Sequence, residues 1–130
     1  MSKKAEDVFV YKNRGRCSLE EPNEINLRLE RFCNKNGYRK NGAINISEPI
    51  SRCESELQWI IDYCLDQGIR KILVDSIYDI GETSLEITMT SEMLCGQGFQ
   101  IVIASNDLIL SGVDKISEEP EEYCLTMGGM

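Results

Sequence analysis

The side chains best suited to chemistry gather in two short segments, residues 12–18 and 75–82. In the first, Arg14 and Arg16 precede Cys17 and Ser18, just ahead of an expected helix start. Two guanidinium groups beside helical N–H groups can hold an anion, and the same field can lower a thiol pKa. Ser18 or Cys17 would then be the nucleophile. Activating either one ordinarily takes a general base, however, and the chain contains no histidine. Ser18 and Glu21 have the Ser-x-x-Glu spacing of a capping box, and Pro22 suits a first helical turn. Ser18 is therefore read first as a helix cap and Cys17 as an ordinary loop cysteine, with Arg14 and Arg16 as a weak anion site.

In the second segment Asp75 ends an apolar run and invites a phospho-acceptor reading. That chemistry needs an acidic cluster for magnesium near the end of the first strand, where Lys12, Asn13 and Arg14 stand instead. Without histidine or a Cys-x-x-Cys pair, the spacing of a zinc site is also missing. No metal and no cofactor is expected.

The elements that position these segments follow from hydrophobic spacing. Residues 8–11 form a short apolar run, the pattern of a strand buried on both faces. Ile25, Leu29, Phe32 and Cys33 recur at helical spacing, predicting a helix over residues 19–36 closed by Gly37. Residues 43–46 suggest a second, short strand. Leu57, Ile60, Ile61, Cys64 and Leu65 then mark an amphipathic helix that Gly68 ends, with Ser51–Glu54 or Ser55–Gln58 as its cap. Residues 69–74 read as a buried strand. Thr83 and Glu86 offer another cap, ahead of Leu85, Met89 and Met93 at four-residue steps. Residues 99–104 form another buried strand, and residues 107–110 a short edge strand. Strands alternating with helices predict an α/β fold: a small three-layer domain whose mostly parallel sheet of four or five strands is flanked by helices. Cys33, Cys64 and Cys95 are read as core, and Trp59 as core or half-core packing.

Composition narrows the function. The chain has 130 residues, enough for one core, with 42% apolar and 28% charged residues. Its 14 basic and 22 acidic residues give a net charge of −8, which disfavours nucleic-acid binding by this chain alone. Half of that charge falls in the last 17 residues, so residues 1–112 are expected to form the domain and residues 113–130 an acidic, flexible tail. No apolar run is long enough to span a bilayer, and the N-terminal residues lack a signal-peptide core, so a cytoplasmic location without membrane contact is expected. Six cysteines in such a chain are read as free thiols.

Taken in order, these residues resemble the N-terminal catalytic domain of serine recombinases, the resolvase and invertase family, over residues 8–112. The family's first strand ends in Tyr-x-Arg-x-Ser, whose serine attacks DNA phosphate; the matching stretch here is Tyr11-Lys12-Asn13-Arg14-Gly15. Tyrosine is kept, Asn13 replaces arginine and Gly15 replaces the nucleophile. The family motif Asp-Arg-Leu-Gly-Arg has its counterpart in Tyr78-Asp79-Ile80-Gly81-Glu82, where Asp79 and Glu82 stand at the arginine positions. Further likeness lies in INLRLERFCNKNGY (residues 25–38) and ILVDSIYDIG (residues 72–81), and Ser51 and Arg52 offer counterparts to a Ser and Arg after the second strand.

Phosphoryl transfer depends on cations that offset charge on non-bridging oxygens, and one lost donor at such a site costs about 3 to 4 kcal/mol. The resemblance thus implies a degenerate active site: a catalytically inactive resolvase-like domain acting through a protein partner or as a homodimer, regulating a recombinase or mobile-element protein. The competing readings are altered phosphoryl-transfer or nuclease chemistry through Ser18 or Cys17, and a small anion- or nucleotide-binding module.

Overall fold

The computed structural model describes residues 5–14 and 22–111. Its strands are β1 (Glu6–Asn13), β2 (Tyr38–Ile46), β3 (Lys71–Val74), β4 (Gln100–Ile103) and β5 (Leu108–Leu110). Its helices are α1 (Pro22–Asn36), α2 (Glu54–Gln67) and α3 (Ser84–Gly96), with 3₁₀ turns at Ile50–Arg52, Ile77–Asp79 and Ala104–Asn106. The sheet order is β2-β1-β3-β4-β5; the first four strands run parallel and β5 is antiparallel to β4. This is the expected three-layer α/β domain.

Alternation along the strands separates the layers, because successive side chains point to opposite faces. Val8, Val10, Leu73 and Val102 pack with Ile25, Leu29 and Phe32 of α1. Phe9, Tyr11, Ile72, Val74, Ile101 and Ile103 pack on the other face with Leu57, Ile60, Ile61 and Cys64 of α2 and Leu94 of α3. Burial on both faces explains why these strands read as continuous apolar runs. The chain moves from β1 out to β2 and then returns across β1 to β3; right-handed crossovers in opposite directions place α1 and α2 on opposite faces. The strand order reverses between β1 and β3, and ligands of open α/β sheets bind beyond the carboxyl ends of the strands at such a point.

Several boundaries differ from the sequence expectation. Strand β2 begins at Tyr38, not at residue 43, and runs through Gly42 across an irregularity in its pairing with β1. Gly42 has φ +93°, and a Cβ there would lie 2.8 Å from the Tyr63 ring and 2.9 Å from Phe9. The glycine is a close-approach point within the strand, not its beginning. Neither expected cap of α2 forms: Cys53 is the N-cap and makes no side-chain capping bond, while Ser51 sits in the preceding 3₁₀ turn. Gly68 does end α2, in the left-handed conformation. Thr83 caps α3 as expected, accepting from the Glu86 N–H at 3.1 Å. That helix buries Thr90, Leu94 and Cys95, however, and leaves Leu85, Met89 and Met93 exposed. Leu65, expected on the buried face of α2, is exposed as well. Trp59 is half out, stacked on Tyr63 with its edge towards Phe9. Cys64 and Cys95 are buried, Cys33 is partly so, and the described cysteines are free thiols.

The expected helix start at residues 19–21, its Ser18–Glu21 cap, and the tail at residues 113–130 lie outside the described residues. Among the described residues no helix is long and apolar enough to cross a membrane.

Candidate functional site

The switch point beyond the carboxyl ends of β1 and β3 is surrounded by the segments that the sequence singles out. At the end of β1, Tyr11 is fully buried; its hydroxyl donates to the Glu48 carbonyl at 2.6 Å and lies 3.3 Å from Cys53 Sγ. Burial and this thiol push the Tyr11 hydroxyl well above its ordinary pKa. Burial likewise raises Cys53, whose Sγ also donates to the Pro49 carbonyl. The pair ties β1 to the turn before α2.

Beyond β3, Asp75 is buried and takes both arms of the Arg28 guanidinium, Nε to Oδ1 at 2.7 Å and Nη2 to Oδ2 at 2.8 Å. Asp79 is buried too, and its Oδ2 accepts from the backbone N–H groups of Asp75 and Ser76, each at 3.1 Å. Ser76 Oγ in turn accepts from the Tyr78 N–H, so Ser76 and Asp79 make a capping box around the turn Ile77–Asp79. Asp79, one of the two acids that the resemblance sets against arginines, thus serves the backbone. Ile80 is fully buried, and Gly81 lets the chain lie on the first turn of α3: a Cβ would come within 2.7 Å of Glu86 Cβ and 2.9 Å of the Ile87 nitrogen.

Glu82, the other of these acids, meets Arg52 at 3.0 Å. Glu86 completes the cluster. Its Oε1 accepts from the Glu82 N–H at 2.9 Å and from Ser51 Oγ at 3.2 Å, and its Oε2 lies 3.1 Å from Arg52 Nη2. The Glu82 N–H and then Arg52 hold the Glu86 carboxyl below its usual pKa, and Glu86 raises Arg52 in return. Ser51 and Arg52, the pair offered as family counterparts, therefore face a carboxylate.

Of the other expected site residues, Asn13 ends β1, and Arg14 follows it, exposed. Gly15, Arg16, Cys17 and Ser18 lie outside the described residues. No group of three histidine, cysteine or acidic residues among the described residues could hold a metal ion. Sequence reasoning missed the Arg28–Asp75 pair, which joins residues 47 apart in the chain. It also missed the Ser76–Asp79 box, whose Ser-x-x-Asp spacing was visible.

A second feature lies between α1 and β2. A groove of about 590 Å³ is lined by Lys12, Arg39 and Lys40 on the sheet side and by Asn26, Glu30 and Cys33 on α1. Arg39 is paired with Asp7 at 2.7 Å. Burial, and then repulsion from Lys40, lowers the Lys12 pKa.

Comparison of the chain with known protein families and with curated proteins gives no match.

Proposed function

We propose that this chain is a resolvase-like domain without phosphoryl-transfer chemistry, acting by association with another protein and regulating a recombinase or another mobile-element protein. The observation that carries the reading is the fate of two cations near the carboxyl end of the sheet. Arg28 is held by Asp75, and Arg52 by Glu82 and Glu86. A phosphate entering there would compete with carboxylates already in place and would meet a repulsive field. Exposed apolar side chains on α2, α3 and β5 provide surface for association instead.

Incubation with nicked duplex DNA and denaturing electrophoresis tests the inactive part of this reading. No covalent adduct is expected. An adduct that disappears in Ser18→Ala or Cys17→Ala would replace it with an enzymatic function.

The groove between α1 and β2 favours a second reading, a small-anion module. Its volume suits a small ligand, and Lys12 and Lys40 repel one another across it. Inorganic phosphate or pyrophosphate should then raise the melting temperature of the native chain, and not that of Lys12→Ala.

A further inference from the structure

The two helices on one side of the sheet combine exposed apolar side chains with acids and no base. On α3, Leu85, Met89 and Met93 are exposed by 68%, 60% and 39%. The Glu86 side chain reaches Ser51 and Arg52 just before α2, so that flank of α3 faces α2. Residues three and seven positions on, Met89 and Met93, share that flank. On α2, the Tyr63 hydroxyl donates to Asn41 of β2, which turns that flank towards β2. Leu65, 52% exposed, lies on the opposite flank, towards α3. The four side chains form an apolar strip along the seam between the two helices. Methionine suits such a surface, since its unbranched, polarisable side chain adapts to different partners.

The charge around this strip is mainly negative, with Arg52 at the start of the seam already paired to Glu82 and Glu86. Helices α2 and α3 carry six acids (Glu54, Glu56, Asp62, Asp66, Glu86 and Glu92) and no base. No lysine or arginine occurs anywhere between Lys71 and Lys115. Helix α1, in the opposite layer, carries Arg28, Arg31 and Lys35 against Glu24 and Glu30. An apolar strip with an acidic rim fits an amphipathic helix whose flanks are basic, laid in the seam with apolar anchors at helical spacing. The same face of a second copy would oppose acids to acids, so symmetric pairing through it is disfavoured.

We infer that the α2–α3 seam, centred on Leu65, Leu85, Met89 and Met93, docks a lysine- or arginine-flanked amphipathic helix of another protein. This rests on the association reading above and gives it a surface and a partner chemistry.

The test is a titration of the full chain, labelled at its methionine methyl groups, with a synthetic Leu/Lys amphipathic peptide of about 18 residues, long enough to form five helical turns. A Leu/Glu peptide of the same pattern is the comparison. Saturable shifts of the Met89 and Met93 methyl signals are expected. Binding should weaken about tenfold or more in the Met89→Ser/Met93→Ser double variant, with the Leu/Glu peptide, and in Asp62→Lys/Glu92→Lys. The charge-reversal variant keeps the test decisive should the methionine variant fold poorly. The inference is overturned by non-saturating shifts, by equal binding of the two peptides, or by variants that bind as well as the native chain. It is also overturned if the methionine signals shift with protein concentration alone, which assigns the face to a second copy. The nicked-DNA assay separates the two levels: peptide failure without an adduct removes only this surface, whereas an adduct removes the association reading itself.

Discussion

The Arg28 guanidinium meets the Asp75 carboxylate with two parallel hydrogen bonds of 2.7 and 2.8 Å, tying the middle of α1 to the end of β3. The two partners differ in exposure. Arg28 retains 37% of its side-chain accessibility and Asp75 only 2%. The pair lies beside the carboxyl ends of β1 and β3, the place where doubly wound folds bind their ligands.

That asymmetry predicts an order of damage. Arg28→Ala takes both guanidinium bonds from a carboxylate that is only 2% exposed and should cost about 3 kcal/mol, whereas Asp75→Asn leaves a part-exposed arginine that can turn to solvent and should cost about 1 to 2 kcal/mol. Urea denaturation of both variants checks this. The reverse order would mean that Asp75 has stronger support elsewhere.

The turn after β3 should depend more on Asp79 than on Ser76. Asp79→Ala removes the acceptor of two buried N–H groups and should destabilise by about 2 to 3 kcal/mol; Ser76→Ala loses one capping bond, worth about 1 kcal/mol. Thermal unfolding monitored by circular dichroism separates them.

Two glycines at the ends of α3 should respond oppositely to alanine. At Gly81 the new Cβ meets backbone at 2.9 Å, so Gly81→Ala should cost about 1 to 3 kcal/mol and loosen the Glu86 cluster. At Gly96 nothing lies within 4 Å and the residue is helical, so Gly96→Ala should be neutral or stabilise by up to about 1 kcal/mol. Denaturation midpoints give both signs directly.

Alkaline stability should reflect Cys64, which is fully buried and whose thiol burial pushes up to about 11. In the unfolded chain this thiol ionises near 9, so above that pH the folded chain holds a proton that the unfolded chain has released. Stability from this group is complete below pH 9 and is lost as pH rises from 9 towards 11, by about 2 to 3 kcal/mol. Denaturation midpoints from pH 8 to 11 should fall less steeply in Cys64→Ala, whatever its stability at neutral pH.

Much of the fold was legible because burial on both faces leaves a strong signal. The runs at residues 8–11, 72–74 and 101–103 could only be interior strands once helices were seen between them, and Gly68 and Thr83 marked helix ends through local chemistry. Strand β2 was legible only in part. At an edge its residues are half exposed, and its glycine looks like a break until the Phe9 and Tyr63 rings are placed against it. For α3 the spacing announced a helix but not its orientation: Leu85, Met89 and Met93 form an apolar row as regular as any core face, yet Thr90, Leu94 and Cys95 turn inward.

By itself the sequence determined the alternation of strands and helices, the absence of histidine, the acids at positions 79 and 82, and the long base-free stretch after Lys71. These are properties of residue identity and local spacing, which hold before any distant contact forms. Tertiary structure alone decided that Asp79 would serve two backbone N–H groups, that Arg28 and Arg52 would be held by carboxylates, and that a methionine row would face outward. The two ion pairs join groups 30 or more residues apart and the methionine row depends on which helix face the sheet takes, while Asp79, only three and four residues from its N–H partners, needs the buried turn after β3 to bring its carboxylate within about 3 Å of them.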